Sequence, residues 1–193
     1  VQGLCQRLNE LSNDRLGVKF PRHAKVILAK EALPETFFNG LFKFTFVRNP
    51  WDLQVSSFHH ISRSWPQLVE GREEFGDFLK WRLDPSRPLE PHVETSNQLQ
   101  TDQLVDLDGE VVVDFIGRFE RLTEDFHRVC ETIGIQPPSL GHKRKSTQRK
   151  RDYRGYYTDA TAQLVADHFA RDIEVLGYRF DDPDSLAEPS RTS

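Results

Sequence analysis

The residues that most clearly carry chemistry in this sequence are Arg48 and Ser56. Arg48 stands where an apolar strand pattern ends, and Ser56 lies two turns into the helical pattern that follows. Open α/β sheets bind ligands at the carboxyl ends of their strands. A planar guanidinium can grip two oxygens of one anion, and a hydroxyl adds a neutral donor. The pattern therefore predicts an anion site between a strand and a helix, with a solvated arginine at a well-capped turn as the plainer alternative.

The strand and the helix that position these residues have clear local signals. Three phenylalanines alternate with other residues over 42–47, which is typical of a strand. Asn49 is a good N-cap, and Pro50 suits the first helical position. The helix then carries an apolar stripe that can pack on the sheet, formed by Trp51, Val55 and Phe58.

Helices and strands alternate along the rest of the chain. We predict helices at residues 4–11, 24–33, 36–41, 75–83, 122–133 and 158–176. Residues 103–116 predict a hairpin, or a turn that feeds a buried strand. Thr123 is the expected cap of the fifth helix, and Thr158 or Asp159 the cap of the last. This alternation predicts an α/β fold with a mainly parallel sheet.

The composition is that of a folded domain. The chain has 193 residues, 29% of them charged, and a net charge of −4. No apolar run approaches the ~20 residues that a membrane helix needs, and the acidic balance argues against a general nucleic-acid binder. The two cysteines, Cys5 and Cys130, give neither a disulfide framework nor a metal-ligand spacing. We therefore expect no nucleic-acid partner, no membrane contact from this segment and no metal.

Several segments resemble one known family. The string Arg-Asn-Pro-Trp-Asp at 48–52, followed by Ser56 and an aromatic residue two positions later, resembles the 3′-phosphate-binding motif of sulfotransferases. These enzymes use 3′-phosphoadenosine 5′-phosphosulfate (PAPS). Residues 113–120, with Leu122 and residues 125–126, look like one further block of the family, and residues 153–157 with 172–180 look like its C-terminal signature. The resemblance spans roughly residues 20–180 and is closest to carbohydrate sulfotransferases of the Golgi and their bacterial relatives.

This resemblance implies a P-loop-kinase-like α/β fold of three layers, with a mainly parallel sheet flanked by helices. It also implies PAPS as the sulfate donor and a hydroxyl, expected on a carbohydrate, as the acceptor. On the matching positions, Arg48 and Ser56 would hold the ribose 3′-phosphate. For Arg118 and Glu120, we favour an ion pair that fixes a strand end over a contact with the nucleotide.

A basic segment, residues 142–151, holds six cationic residues in a chain that is net acidic. Such runs are usually solvated surface. In related enzymes the corresponding segment closes over the nucleotide, and the candidate cofactor contacts are therefore Lys145, Ser146, Arg149 and Tyr153. Binding of an acidic glycan by the same segment is the other role left open.

Transfer of a sulfuryl group to a hydroxyl calls for a base, and histidine is the usual one near neutral pH. His23 is the candidate, since it lies just before the helix that precedes the motif strand and related enzymes often carry a histidine there. A structural hydrogen bond at a helix start is the alternative for this residue. Weaker candidates for the base are His59, His60 and His92.

The family's phosphate-cradling loop, which holds the 5′-phosphosulfate, has no match here. The chain begins at Val1, contains no methionine and has no Gly-rich Lys-Ser/Thr segment before the first predicted helix. We expect a chain that starts just after this loop, lacks the strand before it, and retains half a nucleotide site and little activity. We also expect one domain, residues 1–182, and a polar tail, residues 183–193. The compartment is open: the cytoplasm for a bacterial enzyme, the Golgi lumen if an anchor precedes Val1.

Two other functions are compatible with the sequence. A nucleotide-dependent phosphotransferase would share the architecture, although the spacing of Arg48 and Ser56 favours a 3′-phosphate over a γ-phosphate. A non-enzymatic domain would use the basic segment on heparin-like or nucleic-acid polyanions. That domain would bind in a salt-sensitive manner with little response to the 3′-phosphate.

Overall fold

The described part of the chain is an α/β structure with a small sheet. A computed structural model describes residues 24–94, 96–140 and 152–182. Its helices are α1 Val26–Ala32, α2 Glu35–Gly40, α3 Pro50–Ser64, α4 Phe75–Leu83, α5 Pro91–Glu94, α6 Leu122–Ile133, α7 Asp159–His168 and α8 Ala170–Leu176. Strands β1 (Phe44–Val47) and β2 (Phe115–Arg118) pair in a parallel sheet. The predicted class is confirmed, but within the described ranges the sheet has two strands rather than the larger sheet expected.

The described residues fall into two compact units. The first contains residues 24–45 and 102–116, with a small core formed by Leu33 and Phe38. An ion pair between Lys30 and Asp106, 2.5 Å from Nζ to Oδ2, lies within this unit. The second unit contains the described residues of 46–101 and 117–182. The prediction of a single domain over 1–182 stays a prediction.

Helix α3 is the centre of the second unit. Its residues Trp51 and Val55 are buried, as the predicted apolar stripe requires, and Phe58 is half-buried. Further along α3, Ile61 joins a core cluster with Val69, Phe78 and Val93. The helix packs against both α4 and α7. Because α3 begins at Pro50, this packing fixes the position of the turn that precedes it.

Three local predictions differ from the structure. Thr123 is not the cap of α6: a 3₁₀ turn at Phe119–Arg121 runs directly into the helix, and the cap position falls on Arg121. The last helix is two helices, because the fully buried Phe169 leaves the α-helical dihedrals between α7 and α8. Residues 104–114 form the predicted turn, with one antiparallel bridge from Val105 to Val111, but the strand that it feeds begins at Phe115 rather than at Val111. The helix predicted at 4–11 lies outside the described residues.

None of the helices in residues 24–94, 96–140 and 152–182 is long and apolar enough to cross a bilayer.

Arg82, at the end of α4, is a fully buried cation in the second unit. Its Nη2 donates to Ser96 Oγ at 2.7 Å and to the Val93 carbonyl at 3.5 Å. Among the described residues, no acceptor lies within hydrogen-bonding distance of its Nε or Nη1. Burial, together with the positive charge of Arg87, lowers the pKa of Arg82 to about 9. The guanidinium is therefore still charged at neutral pH, and its incomplete pairing is a cost to folding.

We predict that Arg82→Met raises the free energy of unfolding by about 1–2 kcal/mol at pH 7, because a buried charge is replaced by an apolar side chain of similar length. Chemical denaturation measures the change. The gain should shrink above pH 9. Above pH 9 the Arg82 guanidinium loses its proton in the folded wild type before it does so in the unfolded chain. The wild type therefore becomes more stable relative to the variant.

The matched control for this prediction is Arg63→Met, at an exposed position in the last turn of α3. We expect this change to stay within about 0.5 kcal/mol of wild type. A clear loss of stability in Arg82→Met would contradict the prediction and would mean that the guanidinium is a net stabilising contact.

Candidate functional site

The guanidinium of Arg48 is held by side chains of the helix that follows it. Its Nη1 donates to Ser56 Oγ at 2.9 Å, and its Nε donates to Asp52 Oδ2 at 2.5 Å. Its Cζ lies over the ring of Phe119, 4.2 Å from the ring centroid. The side chains of Arg48 and Asp52 are 14% and 15% exposed, so the pair is largely enclosed but keeps some contact with solvent. The structure thus brings together the two residues that sequence reasoning paired.

Asn49 builds the turn between β1 and α3. It is fully buried, and its Oδ1 accepts from the backbone N–H groups of Trp51 at 3.0 Å and Asp52 at 3.3 Å. These bonds satisfy two amides that the first turn of a helix leaves without partners. Its Nδ2 donates to Tyr153 Oη at 3.2 Å and to the Arg179 carbonyl at 3.4 Å. The predicted cap is confirmed, and it is also tied to distant parts of the chain.

Glu120 holds the same turn from the segment after β2. Its Oε1 accepts from the Asn49 backbone N–H at 2.7 Å, and its Oε2 accepts from Tyr178 Oη at 3.2 Å. Burial and the Glu120 carboxylate both raise the pKa of the Tyr178 hydroxyl. The guanidinium of Arg118 lies over the Tyr178 ring and donates to the Leu176 carbonyl at 2.6 Å. These contacts favour a structural role for Arg118 and Glu120 over a contact with a nucleotide.

Gln100 brackets the peptide groups of Arg48. Its Oε1 accepts from the Arg48 N–H at 2.8 Å, and its Nε2 donates to the Arg48 carbonyl at 2.8 Å. The backbone N–H of Gln100 donates to Asp172 Oδ2 at 2.8 Å. Together with the Asn49 cap, these bonds fix the backbone from which the side chain of the arginine extends.

The structure has the arrangement that the sequence predicted: an arginine at a strand end, a capped turn, and a serine two helical turns further on. A family model described as "Sulfotransferase family" matches residues 12–179. The chain belongs to the sulfotransferase family. No curated protein and no solved structure matches the chain in the corresponding searches. The family recognised from the sequence is confirmed, and it implies a transferase with a sulfate donor and a hydroxyl-bearing acceptor.

The described residues of this sulfotransferase include three of the seven predicted site residues. Arg48 and Ser56 are in contact, and Tyr153 lies beneath the turn that joins β1 to α3. The other four lie outside the described residues: His23, Lys145, Ser146 and Arg149. Their roles stay predictions.

The three weaker histidine candidates all contact aromatic rings. His59 Nε2 lies 2.8 Å from Tyr156 Oη, at a half-buried position of α3. His92 stacks on Trp65 at 4.2 Å between ring centroids, and His60 meets the same ring edge-on. These contacts give each histidine a packing role, and none of them adds support for a base.

One cleft in the described residues has none of the three described site residues in its lining. It measures about 530 Å³, lies within the first unit, and its lining includes Lys30, Phe38, Lys43 and Asp114. Lys43 and Asp114 already form an ion pair there. Within the described ranges, no group of three or more His, Cys, Asp or Glu side chains is placed to hold a metal.

Sequence reasoning missed Gln100 and Asp172. Gln100 carries no local signal, because it sits in an irregular stretch 52 residues from its partner Arg48. Asp172 lies in the C-terminal block that resembles the family, which marks the segment but not the contact. Only the fold brings these residues to the turn.

Tyr153 is 3% exposed and its hydroxyl is used inside the protein. It donates to the Phe180 carbonyl at 2.7 Å and accepts from Asn49 Nδ2, and burial raises the pKa of this hydroxyl. These observations indicate a support for the Asn49 turn. A contact between Tyr153 and a cofactor stays a prediction.

We predict that Tyr153→Phe lowers the free energy of unfolding by about 1–2 kcal/mol, because the Phe180 carbonyl loses its partner in a buried position. Denaturant titration measures the loss. The same change at the half-buried Tyr156 is the comparison and should cost less. Wild-type stability in Tyr153→Phe would contradict the supporting role.

Proposed function

We propose that this sulfotransferase moves the sulfuryl group of PAPS to a hydroxyl of a carbohydrate, and that Arg48 and Ser56 bind the 3′-phosphate of the donor. The observation that carries the proposal is the 2.9 Å contact between Arg48 Nη1 and Ser56 Oγ at the start of α3. A guanidinium and a hydroxyl on one side of a turn offer several donors to one tetrahedral anion. The carbohydrate acceptor is supported by the resemblance of the motif to carbohydrate sulfotransferases.

The charge balance at Arg48 tests whether these residues fit the phosphate. Asp52 shares the guanidinium, so the pair alone is close to neutral. A phosphate monoester carries about −1.5 to −2 at neutral pH. Binding it therefore needs further cations, and the basic segment 142–151 is a source of them in the sequence. We include Lys145 and Arg149 in the proposed site for this reason, and Ser146 because a Lys-Ser pair is often found at this point in related enzymes.

The remaining requirement is a group that takes the proton of the acceptor hydroxyl. Bound PAPS would supply the sulfuryl group and a leaving phosphate. We propose His23 as the base, because imidazole can accept a proton near neutral pH. The enclosed position of Arg48 and the fixed turn at Asn49 would orient the donor, and orientation is a large part of the catalysis of group transfer.

The first test compares 3′,5′-adenosine bisphosphate with 5′-AMP in thermal unfolding. We predict that the bisphosphate stabilises the wild type selectively, by about 2.7 kcal/mol at a ligand concentration 100 times its Kd. Arg48→Ala should abolish the selectivity, because AMP lacks only the phosphate that this arginine is proposed to bind. Lys145→Ala/Arg149→Ala should weaken bisphosphate binding and its dependence on salt.

The matched control is Arg63→Ala, which removes an exposed arginine from the last turn of α3. It should keep the full selectivity. Equal stabilisation by both nucleotides in the wild type would overturn the 3′-phosphate assignment. A response to heparin without a response to the bisphosphate would point to polyanion binding, and a preference for ATP would point to a phosphotransferase.

A second test addresses the base. We predict that His23→Gln lowers kcat for sulfuryl transfer to a panel of glycans by about 10²–10⁴-fold, the usual contribution of a general base. The nucleotide affinity should stay unchanged. His127→Gln, on the exposed face of α6, is the control and should leave kcat unaltered. Wild-type kcat in His23→Gln would rule out this base.

A further inference from the structure

The side chain of Gln100 bonds the backbone of Arg48 in the way that the peptide groups of an adjacent strand would. Strand β1 ends at Val47, and the next residue, Arg48, has both of its backbone polar groups bonded to the Gln100 amide. Both contacts are 2.8 Å long. An amide side chain offers one donor and one acceptor, like a backbone peptide unit. Gln100 thus holds the backbone of Arg48 at the point where the strand has just ended.

Gln100 is itself held by a buried carboxylate. Asp172, in the first turn of α8, is fully buried and accepts three hydrogen bonds of 2.8 Å. The donors are the Gln100 N–H, the Thr101 N–H and the Thr101 hydroxyl. Hydrogen bonds to a charged group are among the strong ones in proteins. The carboxylate therefore fixes the backbone from which the Gln100 side chain reaches Arg48.

We infer that Gln100 is a positioning residue for the 3′-phosphate site and that Asp172 holds it in place. The inference rests on the proposed function of Arg48. Asp52 and Ser56 orient the guanidinium, but they act on the end of a flexible side chain. Gln100 fixes where that side chain begins. Loss of its two bonds lets the backbone of Arg48 shift, so that the guanidinium and the Ser56 hydroxyl no longer meet one anion.

A merely structural role for Gln100 would lower stability and weaken every ligand equally. A positioning role would act on the 3′-phosphate alone. The ratio of the Kd for 5′-AMP to the Kd for 3′,5′-adenosine bisphosphate separates the two, because the nucleotides differ only in that phosphate. Isothermal titration calorimetry at constant salt gives both values.

We predict that Gln100→Met, which keeps the length of the side chain but removes both bonds, lowers this ratio by about tenfold or more. Gln98→Met is the matched control, since Gln98 is exposed two residues away, and its ratio should stay within about twofold of wild type. Asp172→Asn should lower the ratio in the same direction but less, because one oxygen still accepts.

An unchanged ratio in Gln100→Met overturns the inference. If that variant does not fold, Gln100→Glu and Asp172→Asn carry the test, and unchanged ratios in both overturn it equally. If the wild-type ratio is close to 1 and Arg48→Ala does not change it, the proposed 3′-phosphate site is wrong instead. The wild-type ratio can also be high, fall in Arg48→Ala and stay high in Gln100→Met. In that case the proposed function stands, and only the role of Gln100 is wrong.

Discussion

The turn between Arg48 and Asn49 must satisfy its polar groups with protein partners, because Asn49 is fully buried. Gln100 bonds both peptide groups of Arg48, Glu120 bonds the Asn49 N–H, and the Asn49 side chain caps α3 and reaches Tyr153. Each of these partners is itself held elsewhere in the second unit. The geometry of the arginine therefore depends on hydrogen bonds from several separate segments. Helix α3, which begins at this turn, packs into the core of the second unit.

Two enclosed arginines of the second unit differ in how their charge is compensated. Arg48 has a carboxylate, a hydroxyl and an aromatic face around it, and it keeps partial exposure. Arg82 has no exposure, and among the described residues its hydrogen bonds go only to neutral oxygens, with the ring of Phe78 5.7 Å away. A cation with a counter-ion can exchange one partner for a ligand at moderate cost, whereas a buried cation with few partners is expensive to keep. This contrast supports Arg48 as the residue that meets an anion.

The sequence predicted the parts of this site that are encoded locally. The Asn49 cap, Pro50 at the first helical position and the bounds of α4 and α6 follow from signals within a few residues, and the structure has them. The break at Phe169 and the bracket of Gln100 have no such signals. The first arises because a phenylalanine is buried between two helices, and the second joins residues 52 apart. Tertiary packing decides both the helix break and the contact of Gln100 with Arg48, and local sequence patterns carry no information about that packing.

The bonds of Asn49 have a consequence for the order in which the protein is made. Its side chain reaches Tyr153 and Arg179, which follow it by 104 and 130 residues. Contacts over such separations form only after a long loop has closed. On the ribosome, the turn stays incomplete until residue 179 has emerged, although Arg48 and Ser56 are synthesised early. The nascent chain thus carries Arg48 and Ser56 long before the turn that positions them is complete.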